Sequence, residues 1–322
     1  MGEHGLVPLC RQVLDGEVAA AARLIREIDD GHPDAKAALQ SLYRHSQRAK
    51  LIGITGPPGV GKSTLTSALI TRIRDGDQGV GVLAVDPSSP FSGGAVLGDR
   101  IRMKPHLLDP AVFIRSMASR GESGGMTWAT RGAAVVMAAL GLPYILIETL
   151  GVGQDGIDIS RFAHTTLVVT APGLGDQIQA IKAGIMEVGD IFVVNKSDLK
   201  GAAQTVAELE TMVAERCAGT DAWRPGVVAC SALGGKGLGN LWDALESHWA
   251  FLAQPTPASE AGQLEKLRQD VLEMVKKAEI DRIMAALAGD SDLETGIRAL
   301  AKGETDPYTL CDGLLGKLHR DD

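Results

Sequence analysis

Cysteine is scarce in this 322-residue sequence: Cys10, Cys217, Cys230 and Cys311 are far apart and form no C-x-x-C pair. That spacing excludes a disulfide scaffold and suits no zinc site. Free thiols fit a reducing cytosol, so a cytoplasmic location is expected. Positive charge is also short, with 32 Lys and Arg against 40 Asp and Glu, a net charge of −8. An acidic chain lacks the global field that draws proteins to nucleic acid or anionic membranes, and neither is expected as a partner. Long hydrophobic runs are missing: the longest, 132–147, is interrupted by Pro143. It reads as a helix, a turn and a buried strand rather than a membrane span. No targeting segment is read at the start, and Leu6 stands where a myristoylation signal needs Ser or Thr. Aromatic residues are few, with 5 Phe, 4 Trp and 3 Tyr, yet 45% hydrophobic and 22% charged residues make an ordinary globular composition. The chain is long enough to bury a sizeable core.

Glycine, by contrast, is in excess. There are 39 in 322 residues, well above the usual roughly 7%. Of these, 29 fall within 53–239, so the surplus belongs to one region. Many backbone positions there must turn sharply or approach something closely.

Within that region, short apolar runs recur at 51–55, 80–85, 144–147, 166–170, 191–194 and 227–230. They are rich in Val, Ile or Leu and lack polar alternation, as buried parallel strands do. Helical stretches are expected between them at about 62–74, 125–140, 176–188 and 202–218. Strand and helix alternation predicts an α/β fold with a doubly wound, mainly parallel sheet. Before it, apolar positions at helical spacing over 6–28 and a polar helix to about Lys50 predict an N-terminal helical extension, 1–49. After it, 253–258 contains two prolines and reads as a linker to a long amphipathic helix over 260–288 and two shorter ones. The expected organisation is therefore 1–49, a nucleotide domain over 50–252, and a helical region over 253–322.

The strongest motif is Gly56-Pro57-Pro58-Gly59-Val60-Gly61-Lys62-Ser63, which fits G-x-x-x-x-G-K-[ST] between a strand and a helix. Its glycines let backbone N–H groups turn inward around a phosphate, and the helix N-terminus adds its positive end. Gly56, Gly59, Val60, Gly61, Lys62, Ser63 and Thr64 form the expected phosphate-binding set. Lys62 reaches the β- and γ-oxygens and Ser63 binds Mg²⁺. A second motif, Asn195-Lys196-Ser197-Asp198, directly follows the run 191–194. This is N-K-x-D, in which a carboxylate at Asp198 accepts from guanine N1–H and the 2-amino group. Adenine has neither donor there, so GTP is favoured over ATP. Asn195 is expected to tie this loop to the phosphate loop, and the Lys196 stem to cover the base. Ser231-Ala232-Leu233 resembles the loop whose backbone N–H groups contact guanine O6.

Three acids fall where strands or loops meet the phosphates: Asp86, Asp99 and Glu148. Hard oxygen ligands suit Mg²⁺. Glu148 opens Glu148-Thr149-Leu150-Gly151, an E-x-x-G word whose Gly151 N–H can contact the γ-phosphate. Small signalling GTPases place Gln directly after that glycine to orient the attacking water; here the position is Val152, with Gln154 two residues on. Slow intrinsic hydrolysis that a partner accelerates is predicted. Arg100, Arg115, Arg120 and Lys182 are candidates to meet developing phosphate charge.

Taken in order, GITGPPGVGKST, DPSSPFSGGAVLGDRIRM, FIRSMASRG, ETLGVGQ, QAIKAGIMEVGDIFVVNKSD and SALGGKGL resemble the MeaB/MMAA-type GTPases, also labelled ArgK. The matching stretches cover about 50–240. The resemblance implies a P-loop GTPase of the metallochaperone class that guards adenosylcobalamin-dependent acyl-CoA mutases. Such proteins gate loading of intact cofactor and removal of damaged cofactor, and are generally homodimers joined through C-terminal helices. It implies GTP/GDP and Mg²⁺ as ligands, with Ser63, Asp86, Asp99 and Glu148 at the metal and switches. It further implies that Lys182 is a mobile-loop lysine engaging the nucleotide, so that Lys62, Asp99, Glu148 and Lys182 carry catalysis. Glycines 93, 94, 98, 121, 124, 125, 151, 153 and 156 are assigned to switch loops. Three places depart from the family pattern: Asp155-Gly156, His164, and Glu122-Ser123 within Arg120–Gly125. All three are read as lying in or near switch segments.

Two other functions compete. Metal insertion, as in nickel or zinc GTPases of the same class, needs a His-rich tract or a Cys-based motif, whereas the seven His are scattered. An ATP-dependent kinase or transport ATPase, which the ArgK label evokes, needs an acceptor site and a base that the sequence does not offer, and Asp198 argues against adenine.

Overall fold

A computed structural model describes residues 5–86, 103–118, 127–149, 154–173, 187–217, 223–254 and 256–318. Among the described residues, seven strands form one sheet: β1 (Lys50–Thr55), β2 (Val80–Asp86), β3 (Val112–Ala118), β4 (Tyr144–Glu148), β5 (Thr165–Thr170), β6 (Ile191–Val194) and β7 (Gly226–Ala229). Their order is β3-β2-β4-β1-β5-β6-β7, and every pairing is parallel. Alternate side chains leave opposite faces of a strand. Accordingly, Leu167 and Val169 of β5 enter one core and Val168 the other. Both faces are covered, which is why the strands read as continuous apolar runs.

On one face, α4 (Lys62–Asp75) and α8 (Leu238–Ala253) bury Leu65, Leu69, Ile73, Leu241 and Leu245 against β1, β4 and β5. On the other lie α5 (Trp128–Ala139) and α6 (Gln154–Phe162). Close contact requires glycine at β1: a Cβ on Gly53 would stand 2.8 Å from Ile159 Cγ1 of α6. Three helices at the start, α1 (Val7–Leu14), α2 (Val18–Asp29) and α3 (Ala35–Tyr43), lay Val13, Leu24, Ile25, Ile28 and Leu42 against α5. Helix α7 (Ala202–Arg216) buries Leu209 and Val213 beside Phe192.

The six expected strands are present, with ends shifted by at most one residue. Edge strand β3 was not anticipated. Among the described residues it pairs only with β2, and Arg115 and Ser116 break its apolar run. The helical pattern over 6–28 proves to be two helices separated at Asp15-Gly16-Glu17, and the polar helix expected to reach Lys50 ends at Tyr43. The helix expected at 176–188 falls largely outside the described residues.

The chain divides into two compact units, 1–266 and 267–322. Helix α9 (Pro257–Leu287) begins in the first and runs into the second. Within the second unit, α10 (Ser291–Ala301) and α11 (Pro307–Leu318) pack Leu310 onto Gly296, and Lys317 Nζ bridges Asp290 at 2.8 Å and Asp292 at 2.7 Å. Among the described residues, no helix is long and apolar enough to cross a membrane.

The N-terminal ends of the strands carry a buried polar cluster. His248 Nδ1 pairs with the Thr165 hydroxyl at 2.9 Å, and its Nε2 lies 3.6 Å from Asp190. Lys266 Nζ reaches Asp190 at 3.3 Å, and Trp249 Nε1 donates to Thr165 at 3.1 Å. Burial holds the His248 imidazole down to about 4; Asp190 opposes that shift, while Lys266 and His164 add to it. His164 belongs here too: its Nδ1 accepts the Leu51 N–H at 3.1 Å. It was expected near a switch segment, but β5 starts one residue later, so it sits at the far end of the sheet from the phosphate loop. Gly156, likewise assigned to a switch loop, lies within α6.

Candidate functional site

The C-terminal ends of β4, β1, β5, β6 and β7 stand side by side and deliver their loops to one crevice, where ligands bind in such sheets. The phosphate loop follows β1. Gly56 and Gly61 have φ of 146° and 93°, in the region that disfavours a side chain. A Cβ on Gly56 would strike the Val169 carbonyl of β5, and one on Gly61 would stand 2.6 Å from Asn195 Nδ2. The loop is thus packed against its neighbours as well as turned. Lys62 is buried and its ammonium donates to the carbonyls of Gly56 at 2.8 Å and Pro57 at 3.0 Å. The cation is thus folded back onto the loop that precedes it. Thr64 follows on the first turn of α4, half-buried.

Glu148 is the last residue of β4, in register with Ile54 of β1 and Ala84 of β2. It is only 4% exposed. The Ser63 hydroxyl donates to its Oε1 at 2.6 Å and the Thr66 hydroxyl to its Oε2 at 2.7 Å. Such short bonds to a charged acceptor are what a buried carboxylate requires. Ser63 and Glu148 therefore come together as the sequence placed them. Thr66 was not anticipated, because its position lies outside the phosphate-loop motif; the only hint is that it falls one helical turn after Ser63.

Asn195 follows β6. Its Nδ2 donates to the carbonyl of Val60 at 2.8 Å, and its Oδ1 accepts the N–H of Ala232 at 3.0 Å. One side chain thus links the phosphate loop, the β6 loop and the β7 loop. Lys196, at φ 55°, sends its ammonium to the Gly59 carbonyl at 2.7 Å, a second tie between the same two loops. Asp198 is exposed. A hydrogen bond from the Ser231 side chain, one from its own backbone N–H, and the nearby Lys196 charge together hold its carboxyl below the ordinary carboxylate range. The acid is ionised and poised as an acceptor.

The Ser231-Ala232-Leu233 amides were assigned to guanine O6. Two are engaged internally, Ser231 N–H with the Lys236 carbonyl at 2.9 Å and Ala232 N–H with Asn195. Ser231 contributes its side chain to Asp198, and Leu233 is 92% exposed. Beneath them the Cys230 thiol is buried, which raises it to about 12 and leaves it inert.

Asp86 closes β2 in register with Ala118 of β3, and its side chain lies outside the described residues. So do Asp99, Gly151, Val152, Arg100, Arg120, Glu122-Ser123 and Lys182 entirely. Arg115 lies in the middle of β3, paired with Leu83, not at the strand's end.

A strand, a G-x-x-x-x-G-K-S loop and a helix facing an N-K-x-D loop across a parallel sheet define a P-loop GTPase. The chain belongs to the family of methylmalonyl-CoA mutase-associated GTPases, MeaB, whose pattern it matches over residues 21–288. A putative GTPase of Pyrococcus abyssi is 42% identical over 316 residues, 96% of each chain. The methylmalonic aciduria type A homolog of Caenorhabditis elegans, a mitochondrial protein, is 32% identical over 280 residues, 81% of this chain and 69% of that one. Among solved structures, an LAO/AO transport system kinase superposes with a TM-score of 0.70 at 25% identity, covering 99% of both chains.

Proposed function

We propose that this GTPase is a chaperone of an adenosylcobalamin-dependent acyl-CoA mutase, gating loading of intact cofactor and release of damaged cofactor. The observation that carries the reading is the match to the mutase-associated family across most of the chain. The likeness to a methylmalonic aciduria type A homolog supports it.

In this reading Lys62 exchanges its two loop carbonyls for the β- and γ-oxygens of GTP, and the N-terminus of α4 faces the same phosphates. Asp198 reads guanine, positioned by Ser231, while Asn195 fixes the distance between base loop and phosphate loop. The oxygens of Ser63 and Glu148, both buried and adjoining Lys62, fit Mg²⁺ in donor type. Asp86 and Asp99 complete that set on the family pattern. When bound, the metal neutralises charge developing on the phosphates. Val152 in place of a water-orienting Gln makes basal hydrolysis slow, and mutase binding accelerates it by bringing Asp99, Gly151 and Lys182 to the nucleotide. The working unit is a homodimer in the cytoplasm, with 50–252 handling nucleotide and 253–322 joining the subunits.

Co-elution tests the reading. Full-length protein is mixed with each candidate cobalamin-loaded mutase in GDP and in a non-hydrolysable GTP analogue. A nucleotide-dependent complex with one mutase is expected. No complex with any of them overturns the chaperone role and leaves the GTPase intact.

A further inference from the structure

We propose that Thr66 is a positioning residue for GTP hydrolysis, holding the Glu148 carboxylate in the orientation that its metal-site role requires. The proposal rests on the reading of Glu148 given above and deepens it.

Ser63 and Thr66 stand one turn apart on the same side of α4, both facing the end of β4. Each takes a different oxygen of Glu148, at 2.6 Å and 2.7 Å. Thr66 is fully buried, with no exposed surface. The need for a second donor follows from the side chain. Glu has one more rotatable bond than Asp, so the plane of its carboxylate is defined more tightly when each oxygen has its own donor. A donor on Oε2 fixes its plane. The two hydroxyls differ in what else they serve. Ser63 adjoins Lys62 and must turn its oxygen lone pairs to a metal. Thr66 lies a turn deeper and keeps its proton on Glu148 throughout the cycle.

The hydroxyl has one alternative, the Lys62 carbonyl one turn back, at 3.0 Å. That carbonyl is within a helix, and the contact is the ordinary back-bond of a helical Thr. The charged carboxylate, at the shorter distance, is the stronger acceptor. Removing the hydroxyl therefore affects Glu148 rather than the backbone of α4.

The test compares Thr66→Val, of the same shape without the donor, with Thr66→Ser, which keeps it. Fluorescent GDP is titrated in EDTA and across a Mg²⁺ series, Mn²⁺ affinity of the GDP complex is read by electron paramagnetic resonance, and turnover gives kcat and KM. Groups that orient metal ligands typically contribute about 10–100-fold to metal affinity. For Thr66→Val we expect Mn²⁺ affinity and kcat to fall about tenfold, with GDP affinity in EDTA and KM for GTP little changed. Thr66→Ser restores both. Unchanged Mn²⁺ affinity in Thr66→Val overturns the proposal. So does a Thr66→Ser protein as impaired as Thr66→Val, since packing is then the cause. Should Thr66→Val fail to fold, Thr66→Ala against Thr66→Ser gives the same comparison. Glu148→Gln is run alongside. If it keeps wild-type Mn²⁺ affinity, the metal-site reading of Glu148 fails, whereas failure of Thr66→Val alone removes only the present inference.

Discussion

Asn195 donates from Nδ2 to the Val60 carbonyl across 2.8 Å, joining the N-K-x-D loop to the phosphate loop through a buried side chain. The same amide group accepts from Ala232, so Asn195→Ala leaves a carbonyl and an N–H short of a partner at once. An unmade buried hydrogen bond costs about 1–3 kcal/mol. The Kd for GDP is expected to rise roughly 10–100-fold, measured by calorimetry, with the GTP and GDP values rising together.

Asp198 offers only acceptors, and Ser231 and Lys196 keep it ionised. Asp198→Asn replaces one acceptor with a donor. Guanine then loses affinity by at least about a hundredfold, because a site built to pair a hydrogen-bonding group rejects its mismatch strongly. Xanthine, which carries an oxygen where guanine has its amino group, is expected to bind better than guanine. Competition between GDP and xanthosine diphosphate measures this.

The phosphate loop predicts an asymmetry between two glycines of similar φ. Gly59 is at 80° and a Cβ there meets nothing within 4 Å, whereas Gly61 is at 93° and a Cβ meets Asn195 Nδ2 at 2.6 Å. Both alanine variants carry the left-handed strain of about 1–2 kcal/mol. Only Gly61→Ala also displaces Asn195. Gly59→Ala is expected to retain measurable GDP binding and Gly61→Ala to lose it, read by fluorescent GDP titration.

At the opposite end of the sheet, His248 predicts acid sensitivity. Its native value is about 4 against 6.5 for the free side chain, so the unfolded chain binds the extra proton. Stability is therefore full above about pH 6.5 and falls as pH drops toward 4, by up to about 2 kcal/mol at pH 5. Burial sets this value first; Asp190 favours the charged ring, and Lys266 and His164 disfavour it. Urea unfolding at pH 7 and pH 5 measures the loss, and His248→Asn is expected to show a shallower dependence.

Much of this was written locally in the chain. The central strands announce themselves because both faces of β1, β4, β5 and β6 are buried, and the phosphate and guanine loops are contiguous words. Edge strand β3 escaped because Arg115 and Ser116 interrupt its apolar run. What could not be read was contact between distant residues. Thr66 meets Glu148, 82 residues on, only because α4 packs over the end of β4. Ser231 turned out to steady Asp198 with its side chain, which depends on where β7 ends relative to β6. His164 misled through proximity in sequence to the E-x-x-G word. One helix, α6, reverses the chain in between and delivers it to the far end of the sheet.

On the proposed function, this GTPase is slow alone and is driven by a mutase. The most direct measurement is single-turnover GTP hydrolysis by the full-length protein, with and without each candidate acyl-CoA mutase carrying adenosylcobalamin. A low basal rate that rises with one mutase, and not with its cobalamin-free form, is the predicted result. A fast basal rate, or a rate indifferent to every mutase, contradicts the account.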